Sequence, residues 1–317
     1  MTRWRPRAGV LLPLGAALLL AALPAVLSPY TSDLVVKIVI YAVFALSLEL
    51  LVGMAGLVSL GHAAFFGLGA YATVLASPDA EAANLLMLLL AAMGAAALYA
   101  LFVGALSLRT RGIYFIMVTL AFAQMAYYVF HDTRLGGGSD GIYLNARPVL
   151  GPLDSGGKLA AYYLALGALV LTYGVLALVR RSRFGHALAG IRVNEQRMRA
   201  AGFATYRYRL AAFVIAGALA GLAGFLFAVK DGYVNPELLA WQESGAVLLM
   251  IILGGIGHLR GAVIGAAAFA LLKELYATPA VVGSFLADHW QLTLGATIIV
   301  FVALLPRGLI GLVERRR

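Results

Sequence analysis

The chain is 317 residues long, 62% hydrophobic and only 12% charged, with a mean hydropathy of +0.92. Soluble domains carry about 25% charged residues, so this composition excludes an ordinary water-soluble fold and marks an integral membrane protein. The net charge of +10 does not point to nucleic acid, because the basic residues sit at the ends of apolar segments, and the absence of Cys excludes disulfides, thiolate metal sites and a cysteine nucleophile.

Arg3, Arg5 and Arg7 precede an apolar run over 8–27. The run exceeds the roughly 7–15 residues of a signal-peptide core and lacks a clear small-residue cleavage site, so it reads as a retained first helix. Further spans are predicted at 34–52, 57–76, 84–107, 112–130, 159–180, 209–229, 244–258, 261–277 and 289–306. That makes about ten, those at 244–258 and 261–277 being short against the roughly 20 residues that cross hydrocarbon. With the N-terminus inside, Lys and Arg fall about three to one on the inner side, which supports an even number of spans. The expected fold is all-α: one polytopic membrane helix bundle over 1–317, with broken Gly-rich helices and an internal repeat.

Glu49 lies inside an apolar segment, where a central carboxylate costs about 2.5–3.5 kcal/mol on insertion scales. It must face the protein interior, a water-filled cavity or the segment's end. Two readings stay open for it: a group of the substrate pathway, or a structural hydrogen-bonding residue. The next stretch, Gly53–Tyr71, is dense in glycine and holds Gly53, Gly56, Gly61, Gly67 and Gly69 around Ser59 and His62. Glycine is costly inside a helix, so this density points to a break, to close helix packing, or to both. A second such stretch holds Gly254, Gly255, Gly257, His258, Gly261 and Gly265. Paired interrupted segments in the two halves of a membrane chain point to a transporter whose pathway lies between repeats. Ser59, His62 and Gln124 are the other polar groups in apolar surroundings; for His62 a packing role competes with a functional one.

The segment 131–158 is too polar and too broken to span and is expected to be the longest external loop. It carries Gly137, Gly138, Ser139, Asp140 and Gly141, which read either as a flexible turn or as a shaped surface for a delivery partner or gate. The segment 181–208 is the polar counterpart on the inner side. Around it lie Arg180, Arg181, Arg183, Arg192, Arg197, Arg199, Arg207 and Arg209. Its centre, 191–201, has no Pro or Gly and is followed by Gly202, which predicts a short helix with a glycine stop. That helix is either presented to a soluble partner or is an ordinary solvated loop that sets topology. Gly217, Gly221 and Gly224 then form a small-residue stripe at helical spacing, which permits close helix contact.

The chain has no G-x-x-x-x-G-K-[ST], no H-E-x-x-H and no G-x-S-x-G, and no chain of intramembrane acids of the kind a proton pump uses. Transport fits better than catalysis, and no metal site is expected.

Four stretches together resemble one family. Gly53–Tyr71 resembles a G-x-x-G-x-x-S-L-G-H-A-A-F-F-G-x-G-A-Y signature; Thr119–Gln124 a T-L-A-F-x-Q element; Gly137–Gly141 a G-G-S-D-G loop; and Phe184–Gly202 an F-G-R-A…I-R-x-N-E…G segment. The resemblance is to the inner-membrane permease subunits of ABC importers for branched-chain amino acids, the LivM-like group, which also includes urea and short-amide permeases. It implies a chain without enzymatic activity of its own in a bacterial inner membrane, both termini cytoplasmic. A second homologous permease, two cytoplasmic ABC ATPases and an external substrate-binding protein are the implied partners, with ATP and Mg held by the ATPases and no cofactor on this chain. It also implies that 191–202 is a coupling helix, with Gly185, Ile191, Arg192, Asn194, Glu195, Arg197 and Gly202 as coupling residues. Glu49, Gly56, Ser59, Gly61, His62, Phe65, Gln124, Gly254, Gly255 and Gly257 are the implied pathway set. Three positions depart from the family pattern: Glu49 stands where the family often has Asn or Asp, His186 where it has Arg, and Gly136 where it has Thr. The first bears on substrate; an acidic group is compatible with the urea branch, whereas the short tail and loops lean to the amino-acid branch. A secondary transporter and a structural subunit of another membrane complex are the other classes.

Overall fold

The computed structural model describes residues 15, 19–25, 28–78, 83–145, 148–150, 153–154, 158–279, 283, 288–305 and 307–311. Most of the first apolar run, and Arg3, Arg5, Arg7, Arg147 and Arg315–Arg317, lie outside them. Eleven α-helices order the described chain: α1 Pro29–Glu49, α2 His62–Leu75, α3 Leu85–Ser107, α4 Ile113–Asp132, α5 Lys158–Arg181, α6 Arg183–Val193, α7 Glu195–Ala200, α8 Thr205–Asp231, α9 Trp241–Gly254, α10 Leu259–Ala277 and α11 Trp290–Leu304. Among the described residues strand is confined to two-residue pieces, β1 Ile142–Tyr143, β2 Val149–Leu150, β3 Leu153–Asp154 and β4 Tyr233–Val234; β1 pairs with β4 and β2 with β3. The protein is an all-α polytopic membrane bundle.

Among the described residues, five helices are long and apolar enough to cross a membrane: α1 with its continuation to Ala55, α3, α4, α5 and α8. The segments 244–258 and 261–277, predicted as two spans, form a pair instead: α9 and α10 meet at a bend of 116°, and the count becomes six if that pair is one span. The segment predicted at 57–76 is helical only from His62, and α2 has 14 residues. At 1.5 Å per residue it reaches about 21 Å, short of the roughly 30 Å hydrocarbon core. α11, with 15 residues, is likewise short.

α1 and α8 form the centre: 78% of the apolar stretch of each is buried, against 28% for α3 and α4. The stripe on α8 explains this. A methyl group on Gly224 would run into the Phe66 carbonyl of α2, one on Gly217 into the Ala100 side chain of α3, and one on Gly221 into Ala96 and Ala92. Gly69 of α2 meets the Gly221 backbone in the same way. With no side chain on either surface, the backbones approach closely, and in lipid such van der Waals contact drives association. Large apolar side chains on the outer faces, such as Leu90, Leu98, Phe102, Met117 and Leu171, are left exposed, as befits helices bathed in hydrocarbon.

The inner polar segment differs from the single predicted helix over 191–202. It is two helices, α6 and α7, broken at Asn194, whose backbone is extended (φ −155°, ψ 98°). Asparagine readily leaves the helix because its side chain can serve the backbone: the Asn194 side-chain Oδ1 accepts the Arg197 N–H at 2.9 Å and caps α7. The predicted glycine stop is present. Gly202 has φ +85°, and the Phe203 N–H returns to the Met198 carbonyl at 3.1 Å.

Candidate functional site

The site is built from two breaks. The first opens where α1 loosens into a π-helical turn, Leu50–Ala55, and ends at Gly56 in the left-handed region (φ +69°). Residues 57–61 are non-helical, and α2 begins at His62. The second break is Gly255 to His258, with Gly255 at φ +113° and Gly257 at φ +90°. An L side chain is strained at such angles, so glycine is required at the two points where the chain reverses.

The breaks meet at Glu49, which is 1% exposed. Its Oε1 accepts the Gly257 N–H at 2.7 Å, and the His258 backbone also faces the carboxylate. Gly53 is one turn on, and any Cβ there would occupy the place of the Glu49 carboxylate. Thus Glu49 is a buried acceptor at the junction rather than a group standing in open space.

Arg192 of α6 reaches the same junction. Its guanidinium donates to the Gly53 carbonyl, its Cγ lies over Gly56, and its Nη1 stands against Gly257. Arg192 and Arg180 are the cations acting on Glu49. One side chain of the inner polar segment therefore touches both breaks. Ile191, 1% exposed, seats α6 beside it, and Gly185 lets the start of α6 lie on the Val179 carbonyl at the end of α5.

The remaining pathway candidates divide. Ser59, His62 and Phe65 are buried. The Ser59 hydroxyl accepts the Gly61 N–H at 3.2 Å, which shapes the turn into α2. His62 Nε2 lies 2.8 Å from the Ser47 hydroxyl, and its ring stacks on Phe44 at 5.5 Å. Phe65 packs edge-on against His62, Tyr99 and Phe213. Gly61 lies against the Thr119 carbonyl of α4, bringing the first break to the Thr119–Gln124 element. Gln124 itself is half-buried, one turn beyond that contact. Gly254 packs on Gly261 and Gly265, which sets the tight bend between α9 and α10.

The coupling candidates also divide. Glu195 faces inward: Arg199 approaches it at 2.6 Å, Arg209 at 2.9 Å and Arg111 at 4.0 Å, and the Thr205 hydroxyl donates to it at 3.2 Å. Burial opposes its charge, but Arg209, the Thr205 hydrogen bond and Arg199 prevail and hold the carboxyl below the ordinary glutamate value. Asn194 is spent on capping. Arg197 is exposed, as are Gln196 and Val193, the last at 86%.

At the opposite end of α4, the glycine loop is an ordered surface. Arg134–Gly136 and Gly138–Asp140 form two 3-10 turns on either side of Gly137 (φ +72°). The Tyr233 hydroxyl donates to the Asp140 carbonyl at 2.7 Å, and Gly141 lies against the Val234 carbonyl where β1 joins β4. The Ser139 hydroxyl donates to the Asp140 carboxylate at 3.3 Å, and Gly138 opens the second turn.

Sequence reasoning passed over two buried hydroxyls that hold the breaks. Ser47 anchors His62, and the Ser244 hydroxyl of α9 accepts the Ala63 N–H at 2.8 Å, tying the start of α2 to the second broken pair. Ser47 is a lone hydroxyl in an apolar run, and Ser244 follows Gln242 and Glu243 at the polar start of α9. These are the only local signals, since the partner of Ser244 lies 181 residues away.

Residues 30–303 match a family described as branched-chain amino acid transport system / permease component. The chain is 30% identical to the high-affinity branched-chain amino acid transport system permease protein LivM of Escherichia coli (strain K12), over 93% of this chain and 73% of that protein. It is 30% identical to the LivM protein of Salmonella typhimurium (strain LT2) over 91% of this chain and 72% of that one. To the permease protein LivH of E. coli (strain K12) it is 26% identical over 42% of this chain and 41% of that protein. No solved structure matches.

Proposed function

The chain belongs to the branched-chain amino acid transport permease family, and from that premise we propose that it forms half of the pathway of an ATP-driven importer for branched-chain or other hydrophobic amino acids. In this reading a second homologous permease completes the pathway, and two cytoplasmic ATPases carry the ATP and Mg. They dock on α6 and α7, and an external binding protein docks near Gly137–Gly141. Both termini then lie in the cytoplasm.

The observation that carries the reading is the reach of Arg192. α6 and α7 form a polar element outside the apolar bundle, with Val193, Gln196 and Arg197 exposed at their junction. The same element holds the Gly53 carbonyl through Arg192, and the Glu49–Gly257 bond lies beside that contact. A force applied to the exposed face is thereby delivered to both broken helices, and breaks with few internal hydrogen bonds are the parts of a bundle that can change shape. Arg197 is an exposed basic side chain that an ATPase can reach, while Glu195 and Asn194 keep α7 in shape.

The test is purification of the tagged chain in mild detergent, wild type beside Arg197→Glu, with identification of accompanying chains and uptake of leucine and urea in vesicles. A P-loop ATPase and a second permease with the wild type, weaker ATPase recovery with the variant, and ATP-dependent leucine uptake are expected. Wild-type chain that purifies without either partner yet takes up substrate on an ion gradient would replace the importer reading with secondary transport. Urea uptake without leucine uptake would move the substrate to the urea branch.

A further inference from the structure

Four arginines converge beside α7, next to the non-helical residues that follow Gly56. Arg109 and Arg111 lie in the turn between α3 and α4, Arg199 on α7 and Arg209 at the start of α8; with Glu195 and Tyr206 they wall a cavity of about 210 Å³. Glu195 supplies one negative charge against these cations. The side chain of Arg109 makes no hydrogen bond or ion pair among the described residues, and the buried Nε of Arg209 has no hydrogen-bond partner there. Like charges gathered around one cavity repel, and a further anion relieves that repulsion. Guanidinium forks match the oxygens of a phosphate. The α4 N-terminus begins at Ile113, two residues after Arg111, and adds its dipole in the same sense.

The cavity continues into an apolar one. Leu108, Arg111, Glu195 and Arg209 also line a second cavity of about 360 Å³, whose other walls include Leu57, Val58, Ile113, Phe115 and Ile116. From there the apolar surface runs outward along the first turn of α4, where Ile113 and Tyr114 are 70% and 74% exposed. The place lies at the ends of α3, α4 and α8, where spans leave the hydrocarbon. A small soluble anion would use only the arginines. A phosphate that carries acyl chains uses the arginines, the apolar walls and the exposed face together.

We propose that this pocket binds the headgroup phosphate of an anionic phospholipid. Bound there, the phosphate bridges the α3–α4 turn, α7 and α8, and fixes α7 against the bundle. The proposal needs only a membrane chain, not the transport reading above.

The test places the full-length chain, with whatever partners accompany it, in nanodiscs of phosphatidylcholine with and without phosphatidylglycerol of the same acyl chains. Retained lipid is identified by native mass spectrometry. Phosphatidylglycerol is expected to be retained in preference, and Arg109→Gln and Arg111→Gln to weaken that preference by roughly fivefold for each charge removed. In phosphatidylcholine alone the thermal midpoint should be unchanged in Arg109→Gln, which loses no contact within the chain. Arg134→Gln, at the far end of α4, should keep the preference. Equal retention of the two lipids, or a preference unchanged in both arginine variants, overturns the proposal. Displacement of the retained lipid by millimolar glycerol phosphate would assign the pocket to a soluble phosphate and overturns the lipid occupant. Loss of an accompanying ATPase in the variants, with lipid retention intact, would assign the arginines to protein docking and also overturns it.

Discussion

Glu49 and Arg192 are separated by 143 positions in sequence and act on one another through two glycines. Glu49 is buried and gives its Oε1 to the Gly257 N–H at 2.7 Å. Truncation to Ala strands a buried donor, which costs about 1–3 kcal/mol. Glu49→Gln keeps an acceptor and sheds a charge buried among apolar helices, so it should be far milder. Thermal unfolding of the two variants in one detergent separates these cases, and an Ala variant as stable as wild type would mean the bond contributes nothing. Arg192→Ala has a different signature. It leaves α6 seated by Ile191 but unhooks it from the Gly53 carbonyl, a charge-assisted bond worth about 1.5–3 kcal/mol. In the reconstituted complex, ATP hydrolysis should persist while uptake per ATP falls about tenfold or more; a proportional fall in both would make Arg192 a folding residue only. Glu195 carries a pH dependence. Its carboxyl is held below the ordinary glutamate value in the folded chain, so its contribution to stability is present above the unfolded value and is lost as pH falls through the folded one. A spin label at Gln196 should stay restrained at neutral pH and become mobile in acid below the usual glutamate range. The same label in Glu195→Gln should show no such transition.

At the scale of elements, the glycines of α8 do the work that leucine does in water-soluble bundles. Close backbone approach replaces burial of large side chains, because lipid tails are as apolar as leucine. Gly224→Ala pushes a methyl group onto the Phe66 carbonyl. Overpacking of this kind costs about 1–3 kcal/mol. Gly94→Ala on α3 meets nothing within 4 Å and should stabilise its helix by up to about 1 kcal/mol. Opposite signs in the two thermal midpoints are the expected outcome; equal destabilisation would mean that helix flexibility, not contact, sets the requirement. The inner segment shows the same dependence on surroundings. Composition predicts one helix over 191–202, yet Asn194 breaks it. Arg192, on the helix before the break, reaches the Gly53 carbonyl, while Arg197 lies on the exposed face of the next helix.

The whole molecule has two polar ends with different shapes. One carries α6, α7 and the arginine-lined cavity; the other carries the turns around Gly137, closed by β1 and β4. The absence of native Cys makes their sidedness directly measurable. Single cysteines at Gln196 and Ser139, both exposed, should react with a membrane-impermeant maleimide from opposite faces, Gln196 from the cytoplasm. Labelling of both from one face would overturn the topology derived from the positive-inside bias.

Membrane residence, the all-α class and the positions of the breaks were legible in the residues, because hydropathy and glycine density are local properties that lipid enforces strongly. The family signature over Gly53–Tyr71 was legible for the same reason: it is one contiguous stretch. The count of full spans was not, since α2, α9 and α10 are apolar enough to pass as spans but too short or too bent to be so singly. Nor could sequence assign partners to Glu49, Ser244 or Glu195. Each is a polar group whose role depends on what stands within about 3 Å, a distance at which hydrogen bonds form. Those neighbours come from elements up to 208 positions away. Apolar composition decided that the chain enters the membrane; helix packing alone decided that its two breaks meet at one carboxylate and that α6 reaches them.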